Sequence, residues 1–146
     1  MKRKKILKIL ICLSLLCVAL SACAKKEEAV KPVKYVKDSL CEISFTYPKN
    51  YKEDFRDENQ VSYLLNGNEG LIFILRWDEG IDTDMEKRGE EKKVNDIDGY
   101  YWIDKDDKSH NFGFTVKNKE GQPVDYFVSA DDEEVFWNIV KSLKVN

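Results

Sequence analysis

Beyond residue 37 the chain holds one cysteine and one histidine, Cys41 and His110, the residue types of a thiol nucleophile and its base. The local charge argues against that chemistry. Asp38 and Glu42 lie close to Cys41, and negative charge raises a thiol's pKa and keeps it protonated. Cys41 also opens an alternating apolar pattern, so it is expected as a small buried hydrophobe. Two acidic runs, Asp82-Thr83-Asp84-Met85-Glu86 and Asp104-Lys105-Asp106-Asp107, invite a calcium reading. An EF-hand loop needs Gly at its sixth position and Glu at its twelfth. The first run places Lys87 and Lys93 there, the second Ser109 and Thr115, and both fail. That leaves a non-EF-hand site at the Asp104 to Asp107 loop as the alternative to acids simply solvated in a turn. Trp77, Tyr100, Tyr101 and Trp102 could form a platform for a sugar or peptide. Strand alternation puts Tyr101 on the face opposite Tyr100 and Trp102, which favours core packing for part of the group. No CxxC, HExxH or phosphate-cradling glycine loop occurs. No catalytic residue, metal site or cofactor is therefore expected.

Charge separates the chain into parts. Residues 24–37 carry five lysines and two glutamates, while Asp38 onward carries 14 basic and 25 acidic residues, a net −11. This argues against nucleic acid as a partner, because phosphate binding needs a basic face. Residues 24–38 contain Pro32 and little apolar periodicity, so they read as a flexible basic linker. Residues 41–146 supply seven Phe, six Tyr and three Trp, enough for one sizeable core.

Met1-Lys2-Arg3-Lys4-Lys5 is a basic start, and an apolar stretch from Ile9 to Leu20 follows. Twelve helical residues reach roughly 18 Å against about 30 Å of bilayer hydrocarbon, so the stretch fits a signal peptide rather than a span. It ends in Leu20-Ser21-Ala22-Cys23, which resembles the lipobox of bacterial lipoproteins. The resemblance implies cleavage between Ala22 and Cys23 and a diacylglyceryl group on the Cys23 thiol. Two acyl chains give stable anchoring where one is marginal. Cys12 and Cys17 would leave with the signal peptide, so Cys41 would have no disulfide partner within the mature chain. The organisation expected is a signal peptide over residues 1–22, a lipidated cysteine and linker over 23–40, and a single domain over 41–146.

Within the domain, Ile43, Phe45 and Tyr47 alternate with polar residues as a strand with one buried face, ended by Pro48. Residues 51–59 fit a short strand or an irregular excursion, and Gln60 to Leu65 a second strand. Asn66-Gly67-Asn68-Glu69-Gly70 is a turn by composition. Leu71-Ile72-Phe73-Ile74-Leu75 is apolar without a break and predicts a central strand covered on both faces. A short helix is expected around Asp82 to Arg88, capped by Asp82 or Thr83. Asp98-Gly99 predicts a type I′ hairpin turn between Val94–Ile97 and Tyr100–Asp104. Asn111 to Lys117 and Val124 to Ser129 are further strands, the second opened by Pro123. Asp131, with Glu134 three residues on, predicts a capped C-terminal helix carrying Val135, Phe136, Ile139, Val140 and Leu143 as its apolar stripe, with Lys141 and Lys144 near its end.

These elements predict an α+β domain, an antiparallel sheet of about six strands packed by the C-terminal helix. Ile43-Ser44-Phe45-Thr46-Tyr47-Pro48-Lys49-Asn50-Tyr51 and the closing Phe136 to Lys144 are similar to the opening strand and final helix of PsbP/Mog1-like domains. That resemblance implies an α/β/α sandwich and no one activity, since the family includes photosystem assembly factors, a nuclear-transport adaptor and surface lipoproteins. The expectation is an extracytoplasmic lipoprotein held to a bacterial membrane by lipid on Cys23, whose domain binds or assembles a protein partner without catalysis. The alternatives are a small or accessory cell-envelope enzyme and a ligand- or metal-sensing lipoprotein.

Overall fold

The computed structural model describes residues 32–66, 69–77 and 85–146. Cys23, the Ala22–Cys23 bond, Cys12, Cys17 and the expected helix start at Asp82 to Asp84 lie outside the described residues. The chain divides at Pro32, and residues 33–146 form one compact unit.

This unit is an α+β fold of two antiparallel sheets. The strands are β1 (Tyr35–Leu40), β2 (Ile43–Pro48), β3 (Tyr51–Arg56), β4 (Gln60–Leu65), β5 (Leu71–Trp77), β6 (Glu90–Val94), β7 (Ile97–Ile103), β8 (His110–Lys117), β9 (Pro123–Ala130) and β10 (Lys144–Val145). A short helix α1 (Met85–Arg88) precedes β6, and α2 (Glu133–Ser142) follows β9. The small sheet runs β1-β2-β10 and the large one β3-β4-β5-β9-β8-β7-β6. Where about six strands in one sheet were expected, ten strands among the described residues build two. Short polar strands such as Glu90–Val94 carry no alternation of their own and form only because a neighbour offers its ladder.

The expected linker ends early. Tyr35 to Leu40 pairs along its whole length with β2, from Tyr35 opposite Pro48 to Leu40 opposite Ile43. Its inward residues are Asp38 and Leu40, too few apolar positions to register as a buried face in sequence. The hairpin turn after β6 falls at Asn95-Asp96 rather than Asp98-Gly99, with Asn95 at φ 54°. Gly99 lies inside β7 instead. A Cβ there would meet the Gly113 carbonyl oxygen at 2.5 Å and the Phe112 ring at 2.7 Å, so glycine serves close packing.

Helix α2 is capped by Asp132, not Asp131, with its side chain accepting from the Val135 N–H at 2.9 Å. Asp131 instead accepts from the Leu71 N–H at 3.0 Å, tying the helix approach to β5. The helix stops at Ser142, and Lys144 enters β10 beside Ser44. Phe136, Ile139 and Val140 are fully buried, in one cluster with Ile43 and Phe45 of β2 and Ile72, Ile74, Phe112, Tyr126 and Val128 of the large sheet.

Register assigns the large sheet two faces. Ile72, Ile74, Arg76, Phe112, Phe114, Tyr126 and Val128 point inward to that cluster. Leu71, Phe73, Leu75, Trp77, Phe127 and Gly113 point the other way.

Candidate functional site

The most strongly perturbed polar side chains, Glu42, Tyr63 and Tyr126, lie between the two sheets and are already engaged. Arg76 closes β5 on the inward parity of Ile72 and Ile74 and meets Glu42 in the turn after β1. Its Nε and Nη2 donate to the two Glu42 carboxylate oxygens at 2.8 and 3.0 Å. The Tyr126 hydroxyl lies at 2.5 Å from the same carboxylate. The Arg76 guanidinium, followed by Tyr126, outweighs burial and holds Glu42 at about 2, well below the usual carboxylate range. Burial, reinforced by Glu42, pushes the Tyr126 hydroxyl up. An acid ionised to that depth neither donates nor accepts a proton near neutral pH.

A second network joins β1 to β3 and β4. Asp38 accepts from the Tyr63 hydroxyl and pairs with Arg56 at 2.5 Å. Arg56 also reaches Glu53 at 2.9 Å and the Ser39 carbonyl at 3.1 Å. Tyr47 stacks on Tyr63 at 4.1 Å between ring centres. Burial first, then Asp38, raises the Tyr63 hydroxyl. Both networks clamp the small sheet onto the large one, which is a structural use of their charge.

Cys41 departs from its expected place. It is exposed, in the turn between β1 and β2 at φ 47°, with its thiol donating to the Glu58 carbonyl at 3.3 Å. The alternation read from the sequence starts at Ile43, because the turn takes Cys41 and Glu42 out of the pleat. His110 opens β8 at the other side of the core, its Nδ1 2.8 Å from the Tyr101 hydroxyl and its ring beside Phe136. The structure thus gives Cys41 and His110 separate partners. In the acidic loop, Asp104 Oδ1 accepts from the Asp106 N–H at 2.8 Å, and Asp107 accepts from the Ser109 N–H at 2.8 Å. Those carboxylates shape the turn. Among the described residues no group of three or more His, Cys, Asp or Glu side chains is arranged to hold a metal ion.

The aromatic residues divide as alternation predicts. Tyr101 points inward, with its ring 4.9 Å from Trp137 and 5.7 Å from Phe136. Trp102 points outward and meets Phe127 edge-on at 6.2 Å. Trp77 also lies on the outer face and is exposed.

That outer face is the feature the engaged polar groups leave over. Met85 of α1 covers its β7–β8 side, where a Cβ on Gly113 would strike the Met85 sulfur at 2.5 Å. Across β3, β4, β5 and β9 the register lays Phe55 beside Ser62, Phe73 and Ser129 in one row. Lys52, Leu64 and Leu71 form a row on one side, with Lys52 exposed on β3, and Gln60, Leu75 and Phe127 form a row on the other. Phe55 on β3 and Leu71 and Trp77 on β5 are exposed by 47%, 40% and 41%, far above the near-zero values of Ile72 and Ile74 on β5. Leu64, Phe73, Leu75 and Phe127 are half-buried. Asp125 is the one acid on this face of β4, β5 and β9, buried and bonded to Thr115 at 2.6 Å. Such a surface can take an apolar layer.

The fold and this face define a small two-sheet α+β domain with a partly exposed apolar surface among the described residues. No protein-family model matches the chain, and no curated protein matches it. Four chains of solved structures match. One is a crystal structure from Bacteroides thetaiotaomicron VPI-5482 at 1.50 Å resolution, with a TM-score of 0.51 and 11% sequence identity. The match covers 78% of this chain and 48% of that one, so the chain spans about half of that protein's length. At this identity the likeness is one of fold.

Proposed function

We propose that the protein is an extracytoplasmic lipoprotein, anchored to a bacterial membrane through lipid on Cys23, whose domain is a non-enzymatic binding or assembly module. In this reading the domain has a PsbP/Mog1-like α/β/α arrangement, with α2 packed across the sheet as its C-terminal helix. The observation that carries the binding role is the half-exposed apolar face over β3, β4, β5 and β9. Contiguous apolar surface of that kind marks interaction sites, because leaving it in water is unfavourable by about 25 cal/mol per Å². Glu42, Arg76, Asp38 and Arg56 are bound to one another between the sheets, which leaves them poor candidates for chemistry. The anchor rests on the Leu20-Ser21-Ala22-Cys23 pattern.

Two arms in intact cells test the proposal. Cys23→Ala should move the protein from the membrane to the soluble fraction, and a variant that stays membrane-bound sinks the anchor. A photo-crosslinking residue at Leu71 should capture a protein, whereas one at Val145, exposed away from this face, should not. Equal yields at both positions would remove the face as the binding surface.

A further inference from the structure

We infer that the outer face of the large sheet is a self-association surface, covered by the same face of a second copy of this chain. The inference rests on the binding-module reading and names its partner.

Strand β5 supplies the first argument. Leu71 to Leu75 is apolar at every position, a composition typical of strands covered on both faces. Only Ile72 and Ile74 reach full burial, while Leu71, Phe73, Leu75 and Trp77 stay partly in solvent. A second layer at the usual sheet-to-sheet distance of about 10 Å would complete the burial.

Charge selects what that layer is. From Asp38 onward the chain carries 25 acidic residues against 14 basic, and a cationic partner would be met by acids. The outer face of β4, β5 and β9 shows one acid, Asp125, and its carboxylate is buried against Thr115. Two copies of so acidic a domain repel one another wherever acids face acids. Among the described residues of β3, β4, β5 and β9, this face is a patch where they can approach without doing so, with Lys52 at its β3 edge.

The area sets the strength. Four strands about 4.8 Å apart and seven residues of about 3.3 Å give about 440 Å² of flat sheet per copy. Two copies bury about 900 Å² before side-chain relief is added, below the about 1,200 Å² of stable specific interfaces and in the range of transient ones. The dimer is accordingly weak and reversible, with isologous two-fold symmetry.

Sedimentation equilibrium of the full chain in density-matched detergent, from micromolar concentration upward, tests this. The wild type should shift from monomer toward dimer as concentration rises. Leu71→Lys and Phe55→Lys, both at exposed positions, should each weaken association by roughly tenfold, because each sets a charge against the apolar face of the second copy. Val145→Lys should leave it unchanged, with circular dichroism checking that every variant folds. A wild type that stays monomeric throughout overturns the inference. If crosslinking at Leu71 then captures a different protein, the binding-module reading survives it. A dimer that both face variants leave intact also overturns the inference, because the contact then lies elsewhere.

Discussion

The two faces of the large sheet share their strands and differ in almost everything else. On β5, Ile72 and Ile74 are fully buried, while Leu71, Phe73, Leu75 and Trp77, interleaved with them, are not. The inner face is roofed by β2 and by the α2 side chains Phe136, Ile139 and Val140, and is pinned by Glu42–Arg76 and Asp38–Arg56. The outer face is covered by Met85 toward β8 and left half in solvent toward β3. Composition cannot separate the two, since burial depends on what is placed above a residue. The difference teaches that stability resides on one side of this sheet and the capacity for contact on the other.

The strongest way to test that division is to empty the inner face. Phe136→Ala removes a fully buried ring that touches Tyr101, His110 and Trp137, and is expected to destabilise by about 3–5 kcal/mol. Urea denaturation would read the loss directly, and a change under about 1 kcal/mol would mean the inner face is not the core.

Next in size is the acid dependence of the Glu42 clamp. Glu42 sits at about 2 in the folded protein against an ordinary 4.5, so its pairing adds stability above pH 4.5 and loses it as pH falls toward 2. The linked free energy is about 3 kcal/mol. Glu42→Gln should lower stability at neutral pH and flatten the decline below pH 4.5, measured as denaturation midpoint against pH. A wild type and variant with parallel pH profiles would deny the clamp its role.

The smallest effect should come from the outer face. Leu71→Ser, studied dilute enough to keep the protein monomeric, is expected to shift stability by about 0.5 kcal/mol or less, since 40% of the side chain is already in water. A loss as large as that of Phe136→Ala would erase the contrast between the faces.

Much of the element order was legible. The alternation of Ile43 to Tyr47, the apolar run of β5 and the stripe of α2 state their own periods, and each became a strand or helix near its expected bounds. Strands β1 and β6 were not legible. Tyr35-Val36-Lys37-Asp38 and Glu90-Glu91-Lys92-Lys93 lack an apolar period and take strand form from the neighbours that pair with them. The clamps left one trace in the sequence, an arginine at position 76 on the inward parity of an apolar strand. Its partner Glu42 lies 34 residues away and carries no local mark.

The amino-acid order by itself determined the secondary elements with strong periods, the acidic character of the domain and the lipobox-like pattern at Cys23, because each is a property of neighbouring residues. Only the tertiary structure decided that Cys41 stands in an exposed turn, that Asp38 and Glu42 are ion-paired between two sheets, and that half of β5 remains uncovered. Those outcomes depend on which distant segments meet. Burial and charge pairing are set by contact across space, and adjacency along the chain carries no record of it.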